Sequence, residues 1–253
     1  MKKRILSILL LCCMVLIMLP TTVLAADGPM DTIPKYDVSI DVYNRTSDIS
    51  IKDSRSYYIY SSVPDKLRDT WAWDKKIFIQ GDKAAPHVFI DGVNIKMSPS
   101  SKGPAIELNK KASAYLYFIG KDSTLQGADG RAAIQKNRSE GQLYVLARTG
   151  TTVTCKGGYR AAGIGGSWAI RNIGDSMFNM DMYGHGVNMH FGSQSNPDYW
   201  GGTINATGGE YGAGIGAGSW GHSGYSGNTI HGGAGERLYF YSGTVNALSL
   251  IHI

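Results

Sequence analysis

The chain has 253 residues, with 25 Lys and Arg against 20 Asp and Glu and a formal net charge of +5. Three of those positive charges, Lys2, Lys3 and Arg4, lie in the first 25 residues; without that segment the balance is 22 to 20, too even for charge to hold a nucleic acid or an anionic membrane. Cys12 and Cys13 lie in the same segment, so Cys155 stands alone and no intrachain disulfide can brace the remainder.

The first element, in chain order, is this N-terminal segment. A basic start, an apolar run over 5–19 closed by Pro20, and Val23-Leu24-Ala25 ahead of a cleavage point together read as a secretory signal peptide, too short to span a membrane comfortably. The expected location is therefore secreted or cell-surface, with no membrane span once the signal is removed. Residues 31–35, with Pro34, read as a lead-in segment. In VSIDVY (38–43) the period is two: Val38, Ile40 and Val42 are expected to face in, and Ser39, Asp41 and Tyr43 out. YYIYS, IFIQ, VFIDGVNI, AYLYFI, QLYVL and TTVT follow, β-branched and aromatic runs bounded by Gly, Asn, Asp or Ser. Residues 66–73 have room for one short helical turn; no longer stretch combines caps with a 3.6 period. Residues 27–149 are charged and poor in glycine, whereas 150–247 hold 25 glycines and only five acidic and four basic residues. One continuous domain over 26–247 is expected.

The glycine-rich part repeats itself. KGGYRAAGIGGSW (156–168) is answered by TGGEYGAGIGAGSW (207–220), and an offset of 51 makes seven of fourteen positions identical between 152–165 and 203–216. Ile106, Ile134, Ile164 and Ile215 follow similar small residues at gaps of 28, 30 and 51, so the last gap is expected to hold two turns. Such periods indicate a repeat architecture. Short strands, glycine corners and one inward isoleucine per turn predict an all-β fold, a right-handed parallel β-helix in which like residues stack along one axis. A propeller, at about 40 residues per blade, fits these gaps less well.

PAIEL (104–108), YFIGKDSTLQGADGRAAIQ (117–135), TTVTCKGGYRAAGIGGS and GGTINATGGEYGAGIGAGS resemble the glycine-rich, AGIGGG-type repeat region of exported Gram-positive surface proteins. The resemblance covers about residues 37–247. It is looser early on, where GKDSTL replaces the usual Gly-x-Asn, and 174–197 departs from the pattern. It implies a parallel β-helix on an exported, wall-attached, multidomain protein of carbohydrate-binding or adhesin-like character, and no known enzyme. The final LSLIHI (248–253) resembles the in-frame translation of a sequencing-library adaptor; native sequence is expected to stop near Ala247, with the chain a fragment of a longer protein whose further domains follow.

Candidate chemistry is sparse. Gly216-x-Gly218-x-x-Gly221 with Glu236 matches a dinucleotide fingerprint in letters, but HSGYSGNTIHGG beyond it is no helix, so no nucleotide cofactor is expected, nor any other. YGHGVNMH around His185 resembles the Gly-His-Gly stretch of polygalacturonase-type glycosidases, and Asp175 and Asp181 are the carboxylates nearest to it; the Asp-Asp pair and Arg-x-Lys element of that group are missing. A lyase base could be sought among Lys156, Arg160 and Arg171, which have few acidic neighbours in sequence. His185, His190, His222 and His231 lack metal-ligand spacing, and no calcium repeat occurs, so no metal is expected. The aromatic set is more suggestive. Trp168, Trp220, Tyr199, Trp200 and Tyr211 lie in the glycine-rich half, and rings on a rigid surface either stack on sugars or cover the wall of the fold. The expected activity is non-catalytic binding of polysaccharide or host matrix glycan, or service as an adhesin stalk, with a pectin-degrading β-helical hydrolase or lyase as the alternative.

Overall fold

The computed structural model describes residues 34–98, 103–109, 111–136, 140–171, 184–222 and 230–250, with 169–171, 220–222, 230–232 and 250 described at the backbone alone. Residues from Lys35 onward form one unit; Met1–Pro34 is a second, of which Pro34 alone is described. The signal segment and residues 251–253 lie outside the described residues. Among the described residues the one helical element is a 3-10 turn at Asp65–Leu67, and no helix is long and apolar enough to cross a membrane.

Three parallel sheets organise the rest. The first takes Val38–Asp41, Ser56–Tyr60, His87–Asp91, Ala114–Ile119, Leu143–Ala147, Gly186–Phe191 and Gly235–Phe240, in that order. The second takes Ile49–Ile51, Ile77–Gln80, Ile106–Asn109, Ile134–Gln135, Ile164–Gly165 and Ile215–Gly216. The third takes Ile95–Lys96, Ser123–Gln126, Thr152–Lys156, Thr203–Glu210 and Thr244–Leu250. From His87 onward the chain visits the first, third and second sheets in rotation, and each strand bonds its counterpart one circuit away. The last third-sheet strand keeps register from Thr203↔Thr244 to Thr207↔Leu248 and then shifts.

β-branched residues occupy the inward positions because a stiff χ1 suits a pleated, half-buried surface. Ile106, Ile134, Ile164 and Ile215 pair in direct register, and the ladder begins two rungs earlier, at Ile49 and Ile77. The five rungs from Ile49 to Ile164 are buried, Ile215 partly so. Val88, Leu116, Val145 and Phe191 make a second file in the first sheet; Ile95, Leu125, Cys155 and Ala206 make a third. Cys155 acts there as a small apolar residue, and burial pushes its thiol pKa up, so it is no nucleophile.

The expectation of two turns between Ile164 and Ile215 is corrected. Those residues are direct partners, as are Thr152 and Thr203 and Leu143 and Met189. The 51 residues are therefore one circuit, lengthened by chain between the second and first sheets and by the segment 192–202 between the first and third. A small fourth sheet, Ala169–Arg171, Ser219–His222 and Ile230–Gly232, stands outside the rotation and ends in an antiparallel pair.

The doubled glycines have a steric cause. A Cβ on Gly158 would lie well inside contact distance of the Ala128 carbonyl oxygen, and one on Gly209 would meet the Gly158 carbonyl in the same way. Backbones one circuit apart approach so closely here that a side chain cannot be inserted. Positive φ, by contrast, falls on Gly130 (73°) and then on Arg160 (61°) and Tyr211 (63°), not on a glycine each time.

Candidate functional site

Two aromatic surfaces are available. On the outer face of the first sheet His87, Tyr115, Tyr144, His190 and Tyr239 are register partners, and their rings stack at 4.7, 4.4, 4.4 and 4.7 Å between centroids with interplanar angles of 3°, 8°, 16° and 14°. The stack follows from in-register parallel pairing, which sets like side chains one strand spacing apart. It also consumes the faces of the inner rings, Tyr115, Tyr144 and His190, each covered on both sides, while Tyr239 on the last strand stays 43% exposed. Beside this file Tyr58, Phe89, Ile119, Leu146 and Trp200 form a second apolar cluster. Trp200 is 8% exposed, lies 5.1 Å from Tyr117 and holds Tyr199 edge-on at 4.8 Å. Tyr199 and Trp200 thus use the segment 192–202 to cover the sheet wall.

Two histidines are built into this wall in equivalent ways. His87 Nδ1 shares a 3.0 Å hydrogen bond with the Tyr117 hydroxyl, and His190 Nδ1 shares one of 3.0 Å with the Tyr241 hydroxyl. Burial lowers the pKa of both below the ordinary histidine value of 6.5. The unfolded chain then binds more protons than the folded one once the pH falls through about 6.5, so stability is full above that value and declines below it. Thermal melts should show the midpoint falling between pH 7 and 5.5, and the double change His87→Phe with His190→Phe, which keeps the stack, should flatten that fall.

The second surface lies at the corner between the third and second sheets. Arg160 holds its left-handed φ because its N–H donates to the Glu210 carbonyl at 2.9 Å, while its own carbonyl accepts the Ser219 N–H at 2.9 Å. The guanidinium carbon lies 4.9 Å from the Tyr159 ring centre, 5.4 Å from that of Trp168 and 5.8 Å from that of Tyr211. Trp168 reaches this position because its N–H donates to the Gly130 carbonyl at 2.9 Å and its ring lies over Gly130, where a Cβ would approach within 3.2 Å. Tyr159 and Tyr211 are 42% and 37% exposed, so their rings are open to solvent in a way the inner rings of the first-sheet stack, Tyr115, Tyr144 and His190, are not. The Tyr211 hydroxyl hydrogen-bonds Glu210, and that bond with the adjacent carboxylate charge raises its pKa above the ordinary phenol value.

The structure therefore gathers Trp168 and Tyr211, two of the five aromatic candidates, around Arg160, and places Tyr199 and Trp200 in the wall. Trp220 is described at the backbone alone; the register pairs it with Ala169, so Trp168 and Trp220 are one step out of match. His185 Nδ1 accepts the Ala234 N–H at 2.8 Å, which ties that nitrogen to the backbone. Asp175 and Asp181 lie outside the described residues, and among the described residues no group of three or more His, Cys, Asp or Glu could hold a metal ion. Sequence reasoning gave Tyr159 no role and treated Arg160 as a stray base. The signal was present: at the offset of 51 Arg160 aligns with Tyr211, so a cation and a ring share one corner position.

Comparison with known proteins finds no matching family model, no similar curated protein and no similar solved structure.

Proposed function

We propose that this chain is a non-catalytic, exported cell-surface module that binds polysaccharide, carried on a right-handed parallel β-helix. Support for the helix comes from the rotation through three parallel sheets and the unbroken isoleucine ladder, together with the strong preference of parallel crossovers for the right hand. Support for export comes from the basic and apolar N-terminus. The observation that carries the binding assignment is the corner cluster, where two solvent-exposed tyrosines flank a tryptophan and a guanidinium on rigid, doubly bonded backbone. Flat apolar rings match the C–H faces of sugars and lose little entropy on contact.

The test is retention on immobilised polysaccharides. Wild type should be retarded, and Tyr159→Ala with Tyr211→Asn should abolish the retardation while circular dichroism stays unchanged, since asparagine accepts the left-handed backbone at 211. Unaltered retention of the double variant would overturn the assignment to this corner.

A further inference from the structure

We infer that the corner around Arg160 selects acidic polysaccharide, a chain bearing carboxylate sugars of the uronate class, over neutral glycan. This rests on the polysaccharide reading above and specifies its ligand. The carrying observation is a surplus of donors. Arg160 Nε and Trp168 Nε1 are both buried and have no hydrogen-bond acceptor among the described residues. Arg160 also enters no ion pair among the described residues.

Unmet buried donors cost free energy, and a half-buried guanidinium without a counter-charge contributes most with a carboxylate, whose two oxygens match its fork. The aromatic neighbours cannot serve as that acceptor. They hold the cation electrostatically through their faces but leave its N–H groups unbonded. The ligand must therefore supply two things at once: an anionic oxygen for Arg160, and an apolar ring face for the exposed Tyr159 and Tyr211. A neutral sugar supplies the second alone; a free inorganic anion supplies the first alone. A uronate residue supplies both.

The experiment compares binding of the whole chain, by calorimetry or affinity electrophoresis, to an oligogalacturonate and to its carboxyl methyl ester. The two share every ring and hydroxyl and differ in charge. The acid should bind about tenfold more tightly or better, the size of one charge-assisted bond, and its advantage should shrink as NaCl is raised. Arg160→Asn, which suits the left-handed backbone, should bring the acid-to-ester affinity ratio down to about one, with the loss falling mainly on the acid. Equal affinity of wild type for acid and ester overturns the inference and leaves the polysaccharide reading standing. No binding of either, nor of any neutral polysaccharide, overturns both.

Discussion

Replacing Ile134 by Ala should lower the unfolding free energy by about 3 kcal/mol, within the range of 2–5 seen when a buried branched side chain is truncated. Ile134 is fully buried and lies between Ile106 and Ile164 in direct register, so the void has a rung above and a rung below it. Neither can close it without leaving its own strand pairing. The same change at Ile215, which is partly buried, should cost visibly less. Urea denaturation compares the two: a shift in midpoint at Ile134 no larger than that at Ile215 would remove the ladder from the account of stability. Ile134→Asp should prevent folding, because a carboxylate there has no partner and no water.

Gly158→Ala should be nearly as damaging, by about 3 kcal/mol, as expected of overpacking that no side-chain rotation can relieve. The obstacle is the Ala128 backbone carbonyl, part of a neighbouring circuit fixed by its own hydrogen bonds. Two controls separate this from ordinary glycine effects. Gly150 has a φ of 83° but open space where its Cβ would go, so Gly150→Ala should cost about 1 kcal/mol, the left-handed penalty alone. Ala128→Gly should also cost about 1 kcal/mol or less, from chain entropy. Thermal midpoints ordered with Gly158→Ala far below both controls would establish close backbone approach as the reason for the paired glycines; equal losses in all three would refute it.

These features differ in how openly the sequence displays them. Four of the six isoleucine rungs, Ile106, Ile134, Ile164 and Ile215, were legible because each follows a small residue, and small-then-branched is what a tight corner before a buried strand requires; Ile49 and Ile77 follow Asp48 and Lys76 and were missed. The length of the last circuit was not legible. A gap of 51 can be two short turns or one turn with added loop, and register alone distinguishes them; the pairing of Ile164 with Ile215 does so. The ring stack was hidden for a related reason. Strands such as AYLYFI and QLYVL announce themselves, yet which tyrosine of one meets which of the next depends on loop lengths between them. Trp200 was legible as an aromatic in a loop, not as the cover over Tyr117. At the corner, sequence found Trp168 and Tyr211 as members of a set and missed Arg160 as its centre: the offset of 51 aligns Arg160 with Tyr211, but the αL backbone that both adopt leaves no compositional trace to mark that position.

Among the described residues, each strand in the three sheets is bonded only to the circuits on either side of it, so no ladder hydrogen bond skips a layer. A pull on one terminus loads a single layer at a time, and the layers beneath keep their bonds until their own turn comes. A chain built this way would yield in small steps under load and re-form from whatever layers remained, a mechanical fuse that resets itself.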